Sequence, residues 1–198
     1  KADHIRIAAE DDVQFGRKKT GLEEVQVNGL EGVEVVYQTL PEMDKAKVDV
    51  STEFLGKKFS APIMVNALTG GTEEAEKINK EIAAACEELG IGFGLGSQRA
   101  MIEKPKLAKT FMVRDVAPNI FIAGNVGVVQ AKEYTVKKID EARETIRADV
   151  LALHVNAAQE AVQSEGTTDF EDCIGTIKKL RKELKHDFYI KEVGHGIS

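Results

Sequence analysis

The side chains of this 198-residue sequence that are able to move protons or hold ions fall in a few short clusters. They are Thr69 before Gly70-Gly71, the triplet Ser97-Gln98-Arg99, Asn125, the set His154, Asn156, Gln159 and Glu160, and Lys191. A histidine can exchange a proton near neutral pH. An arginine can hold an anion through two parallel hydrogen bonds, and a carboxylate can take a hard cation. Each residue also has a plain alternative. Thr69 can cap a helix, Arg99 can be a surface cation, His154 can be a satisfied core histidine, and Glu160 can be a hydrated carboxylate. What separates the two readings is whether the fold brings the clusters together.

The surrounding pattern says that it does. Pro62 to Asn66 is a short apolar run, as expected of a buried strand. Thr72 followed by Glu73 and Glu74 has the composition of a helix start. Ala75, Ile78, Ile82, Cys86 and Leu89 then mark one helical face, and Gly90 stands where a helix would stop. Further strands are expected at 91–95, 120–124, 150–153 and 188–190. Helices fall between them, with Val136, Ile139 and Ile146 inward in one, and Phe170, Cys173, Ile174, Ile177, Leu180 and Leu184 inward in another. Alternation of this kind predicts a parallel sheet with right-handed crossovers. Every cluster above then lies just past the C-terminal end of a strand. In a parallel barrel those ends share one rim, where active sites are built.

The segment before Pro62 reads differently. Gly56-Lys57-Lys58 between strand-like pieces predicts a hairpin within 48–59, and residues 1 to about 13 suit a short helix. The chain therefore divides into an N-terminal helix and hairpin cap over 1–61 and five βα units over 62–198. Five strands do not close a (β/α)8 barrel, so Ser198 is expected to be the end of a piece rather than of a complete fold.

Composition narrows the function classes. The sequence is 42% hydrophobic and 30% charged, with a formal net charge of −6. That balance argues against a nucleic-acid-binding surface and leaves room for a small phosphorylated substrate, which needs only a few cations in one pocket. The four histidines show no HxxxH or HExxH spacing, so no zinc site is signalled. Cys86 and Cys173 read as buried thiols of a reducing compartment. Gly92-Phe93-Gly94-Leu95-Gly96 does not match GxGxxG. Lys178 to Glu183 reads as the wet face of a helix. No apolar run is long enough to span a membrane and the first residues are unlike a signal peptide, so a cytoplasmic protein is expected.

A family resemblance runs over nearly the whole chain. Lys1-Ala2-Asp3-His4-Ile5, Leu40-Pro41-Glu42, Phe54-Leu55-Gly56-Lys57-Lys58, Ala61-Pro62, Leu68-Thr69-Gly70-Gly71, Gly96-Ser97-Gln98-Arg99, His154-Val155-Asn156 with Gln159-Glu160, and Lys191-Glu192-Val193-Gly194 with Gly196-Ile197-Ser198 together resemble the type 2 isopentenyl diphosphate isomerases, in that family's order. The resemblance implies a TIM (β/α)8 barrel of which strands one to five are present here. It implies interconversion of isopentenyl and dimethylallyl diphosphate with FMN, magnesium, and NADPH as the flavin reductant, in a homo-oligomer of four or more chains. By the same resemblance, Ala67, Leu68, Thr69, Ser97, Asn125 and Lys191 would contact FMN. Lys1, His4, Ser97, Gln98, Arg99, His154, Asn156 and Gln159 would bind substrate, His154 and Gln159 being the catalytic candidates. Glu160 would hold the metal. Ala157-Ala158 depart from a Pro-Leu pair common in the family, Leu68 stands for a common Met, and an Arg usual before Lys1 is absent. Two other readings stay open. One is an FMN-dependent α-hydroxy-acid oxidase, which needs an arginine and histidine from later strands. The other is a non-catalytic fragment or binding module.

Overall fold

The computed structural model describes residues 5–7, 9, 32–67, 69–194 and 196–197. Lys1, His4, Leu68 and Ser198, for which roles or positions were expected above, lie outside the described residues.

Two strands, β1 (Thr52–Phe54) and β2 (Lys57–Phe59), pair antiparallel with Phe54 opposite Lys57. The turn is Leu55-Gly56, with φ of 46° and 78°. Positive φ at both central positions is the two-residue hairpin geometry that matches strand twist. The turn thus sits one residue earlier than the glycine-lysine-lysine run suggests, and both lysines join β2.

Five strands then form one parallel sheet in chain order: β3 (Met64–Val65), β4 (Gly92–Gly94), β5 (Ile122–Gly127), β6 (Val150–His154) and β7 (Phe188–Lys191). This is a parallel half-barrel, as expected. Helix α1 (Glu73–Leu89) connects β3 to β4. Its N-cap Thr72 accepts from the Ala75 amide, and Gly90 ends it in the left-handed region at φ 65°. The buried stripe is turned from the expected one. Asn79 and Ala83 point inward, whereas Leu89 is 61% exposed. Asn79 tolerates burial because its amide donates to the carbonyls of Thr69 (3.4 Å) and Thr110 (3.0 Å).

The remaining helices are α2 (Arg99–Glu103), α3 (Val128–Ala131), α4 (Val136–Thr145), α5 (Ala157–Val162) and α6 (Cys173–Glu183), with a 3-10 segment at Pro105–Phe111. Ile139 and Ile146 are buried as expected, but α6 departs from its expected stripe. Leu180 is inward while Ile174 is 70% exposed. Cys86 is buried, Cys173 is half-buried, and both are free thiols.

Side chains alternate along each strand. Phe93, Leu95 and Ile122 face one group of helices, and Val126, Leu151, Leu153, Phe188 and Ile190 another. The opposite face carries Met64, Phe121, Ala123, Val150 and Tyr189, and it is closed at the N-terminal strand ends by Phe59 of the hairpin. No described helix is long and apolar enough to cross a membrane.

Candidate active site

Strand register lays out the inner face in rows. Asn125 is level with Ala152, which is level with Tyr189; one row further along, Gly127 is level with His154, and His154 with Lys191. The next polar groups come from the ends of β3 and β4. Together they border a cavity of about 680 Å3 at the C-terminal strand ends, to which Ala67, Ser97, Arg99, Asn125, His154, Gln159, Glu160 and Lys191 all contribute. These eight sequence candidates, from five strand ends, therefore meet in one place.

Three other candidates do not line it. Gln98 is fully buried; its amide group donates to the Gly96 carbonyl at 2.7 Å, and its oxygen accepts from the Asn125 amide. It thereby ties the β4 end to β5. Asn156 caps α5 by accepting from the Gln159 amide at 2.6 Å, and its own amide donates to Glu192 at 2.6 Å. Thr69 is buried behind the rim, where its carbonyl accepts from Gly96 at 3.1 Å.

The inner face of the sheet carries small residues near the strand ends, of which Gly96 borders the cavity. Gly94, Gly96, Ala123 and Ala152 occupy inner positions, and a methyl group on Gly96 would overlap the Thr69 backbone. Two buried polar atoms make no hydrogen bond, Asn125 Oδ1 on a residue that borders the cavity and Thr69 Oγ1 behind its rim. An unsatisfied buried polar atom is costly, so such atoms at a cavity mark places for ligand contacts. Lys191 is 7% exposed, and burial holds its ammonium below the usual lysine pKa, with Glu192 opposing that shift. A cation of this kind is suited to an anionic ligand, which restores the charge partner that water no longer supplies.

Arg99 is already engaged. Its Nε donates to Glu103 at 2.9 Å and its NH1 to the Glu165 carbonyl at 3.1 Å, and the Glu103 bond holds its pKa above the ordinary value. Glu160 accepts from the Thr167 amide at 2.7 Å and from the Gln130 amide at 3.3 Å to each oxygen. Among the described residues no cluster of three or more histidine, cysteine or acidic side chains could hold a metal, so a cation at Glu160 would draw most of its ligands from water or a bound molecule. Magnesium fits such a site, because it keeps several waters and accepts phosphate oxygens.

Asn66, Glu103 and Gln130 also border the cavity and were not singled out from the sequence. Asn66 ends the first apolar run and could have been read as a strand-end polar group. Glu103 is four residues after Arg99 and could have been read as its helical partner. Gln130 carried no local signal.

Comparison with known proteins bears on relatedness and fold. No family model matches the chain. The isopentenyl-diphosphate delta-isomerase of Pyrococcus horikoshii is 46% identical over 179 residues, 86% of this chain and 48% of that protein. Those of Methanosarcina barkeri and Nostoc sp. are each 41% identical over the whole chain and cover 52% and 55% of their own lengths. Among solved structures, the recombinant flavin-binding domain of baker's yeast flavocytochrome b2 superposes with a TM-score of 0.54 at 19% identity, over 76% of this chain and 41% of that one, a likeness of fold alone. The chain spans about half the length of the curated relatives it matches, and those archaeal and cyanobacterial relatives, 41–46% identical to it, are isopentenyl-diphosphate delta-isomerases.

Proposed function

We propose that the chain supplies the flavin-facing and substrate-facing half of a type 2 isopentenyl diphosphate isomerase, interconverting isopentenyl and dimethylallyl diphosphate with FMN, magnesium, and NADPH as reductant. Residues 1–61 act as cap and 62–198 as the first five βα units. The working protein is a cytoplasmic homo-oligomer of four or more chains. The observation that carries this reading is the convergence of eight family-matched residues on one cavity in a chain 46% identical to a named isomerase.

The residues fit both groups. The unpaired Asn125 Oδ1 at the cavity suits the polar edge of a flat ring, and the buried Lys191 suits its anionic form. Reduced flavin held by these residues would supply negative charge and an exchangeable proton. Lys191 stabilises that negative charge. Arg99, released from Glu103, pairs with the diphosphate through its planar fork, and Glu160 anchors the magnesium that neutralises the remaining charge. The reaction adds one proton at the terminal methylene and removes one beside the carbinol carbon, so no net charge or electron is gained. His154 and Gln159 position and polarise the alkene end; His154 as the base that takes the second proton is the competing assignment.

The test uses the full-length protein with isopentenyl diphosphate and magnesium, after reduction by NADPH or dithionite. Dimethylallyl diphosphate forming only with reduced flavin supports the proposal. Equal turnover with oxidised flavin rejects it.

A further inference from the structure

We propose that Gln130 is a positioning residue for Glu160, holding its carboxylate ready for a divalent cation; this rests on the proposed magnesium role of Glu160. Gln130 lies in α3, immediately after β5, and is buried at the cavity wall. Its Nε2 stands 3.3 Å from both carboxylate oxygens of Glu160, a shared contact that fixes the rotation of the carboxylate plane. The second support comes from the loop after α5, where the Thr167 amide donates to Glu160 Oε2 at 2.7 Å. Both holders are neutral, and among the described residues no lysine or arginine forms an ion pair with Glu160. The carboxylate is therefore oriented by neutral donors, while the Arg99 guanidinium interacts with it electrostatically without an ion-pair contact.

A second feature shows that this contact is built into the backbone. The Gln130 amide folds back over Gly127, and a methyl group on Gly127 would overlap Gln130 Oε1. Gly127 has φ −69° and ψ 140°, a conformation open to any residue. Its missing side chain is thus needed for the space it leaves to Gln130 and not for backbone freedom. An alanine there would displace the flexible amide and leave the strand in place. Outer groups that orient a ligating side chain typically contribute about 10- to 100-fold to metal affinity.

The experiment measures Mn2+ binding by the electron paramagnetic resonance of the free ion. It uses the full-length FMN-loaded protein with inorganic pyrophosphate present. Gln130→Met keeps the reach and removes the donor; Gly127→Ala expels the donor and keeps it in the sequence. Each is expected to weaken Mn2+ binding about tenfold or more. The double variant should be no weaker than either single one, because both act through one contact. Flavin content and unfolding temperature should stay at parental values, which a general structural role would not allow. Mn2+ affinity within twofold of parent in Gln130→Met, with Glu160→Gln clearly weakened, would overturn the role of Gln130. Glu160→Gln at parental affinity would remove the metal reading itself and the proposal with it. Additive losses in the double variant would show that Gly127 does not act through Gln130.

Discussion

The two ends of the half-barrel are built on opposite terms. At the N-terminal strand ends, Phe54, Phe59, Phe121 and Tyr189 meet edge-on or tilted, at centroid distances of 5.5–6.3 Å. Around them Asp149 accepts from the Ile122 amide (2.8 Å) and pairs with Arg114 (2.7 Å) and Lys57 (3.2 Å). Arg114 spends its other donors on the carbonyls of Arg147, Ala117, Pro118 and Ile120. At the C-terminal ends the inner residues are small, polar atoms are left over, and a lysine is buried at a lowered pKa. One end is closed by packed rings and a shared carboxylate, although the buried Tyr189 hydroxyl there has no hydrogen-bond partner; the other leaves polar atoms unpaired around a cavity. The first is expected to carry stability and the second chemistry.

Removing the shared acceptor of the closed end should have the largest effect. Asp149→Ala leaves the nearly buried Arg114 guanidinium and the Ile122 amide without it. Breaking a buried charge pair from one side costs about 3–5 kcal/mol. Denaturant unfolding of the full-length protein should show a loss of that size, while the remaining folded fraction still binds FMN. A loss below about 1 kcal/mol would mean that the closed end is not the stabilising one.

The open end should respond to smaller insults, and chiefly in binding. Gly96→Ala sets a methyl group against the Thr69 carbonyl and amide, which are backbone atoms and cannot swing aside. Forced repacking costs about 1–3 kcal/mol. The shift falls on the segment that presents Thr69 and Ser97, so flavin content after purification should drop more than the unfolding free energy does. Unchanged flavin content would detach this rim from the cofactor.

Most of the closed frame was legible because its signals are local. The Thr72 cap, the Gly90 stop, and the apolar runs of β5, β6 and β7 depend on neighbours within a few residues. The convergence of strand-end groups followed from parallel topology. What stayed hidden depends on distant partners. Asn79 is buried because of carbonyls 10 and 31 positions away, and Gln130 matters because of a carboxylate 30 positions on. Gln98 and Arg99 are neighbours in sequence, yet one is sealed inside and the other borders the cavity, a difference set by the turn into α2. Ile174 lies inside α6 but off the face that carries Leu180, and Phe170 precedes the helix, which begins only at Cys173 after Asp172 in the left-handed region.

Lys191 links stability to binding at the open end. Burial lowers its pKa from 10.5, so the folded state binds this proton less readily than the unfolded chain. Between the lowered value and 10.5 the unfolded state carries more protons, and stability rises with pH across that window. Below it the burial penalty is fully present. Flavin-free Lys191→Met should therefore be somewhat more stable than parent at pH 7–8, with the difference shrinking as pH approaches 10.5. The same variant should bind FMN about tenfold or more weakly, through loss of a charge-assisted contact. Titrating FMN by fluorescence and unfolding the apo protein at several pH values checks both halves. Lower stability at neutral pH would show that Lys191 has a compensating partner.

The smallest expected change returns to the closed end. Leu55 and Gly56 form the hairpin turn with φ of 46° and 78°, and only the glycine is at ease there. A leucine in the left-handed region carries a steric penalty of about 1–2 kcal/mol between Cβ and the following carbonyl oxygen. Its side chain is exposed and offers little burial in return. Asparagine tolerates the left-handed region and is favoured before glycine in this type of turn. Leu55→Asn should thus raise unfolding free energy by about 0.5–1 kcal/mol, with the Phe54 and Phe59 rings undisturbed. Flavin binding and turnover should not move, because the turn and the cavity lie at opposite ends of the strands. A loss of stability would mean that the Leu55 side chain covers apolar surface in the full-length protein, which would extend the closed end beyond Phe54, Phe59, Phe121 and Tyr189.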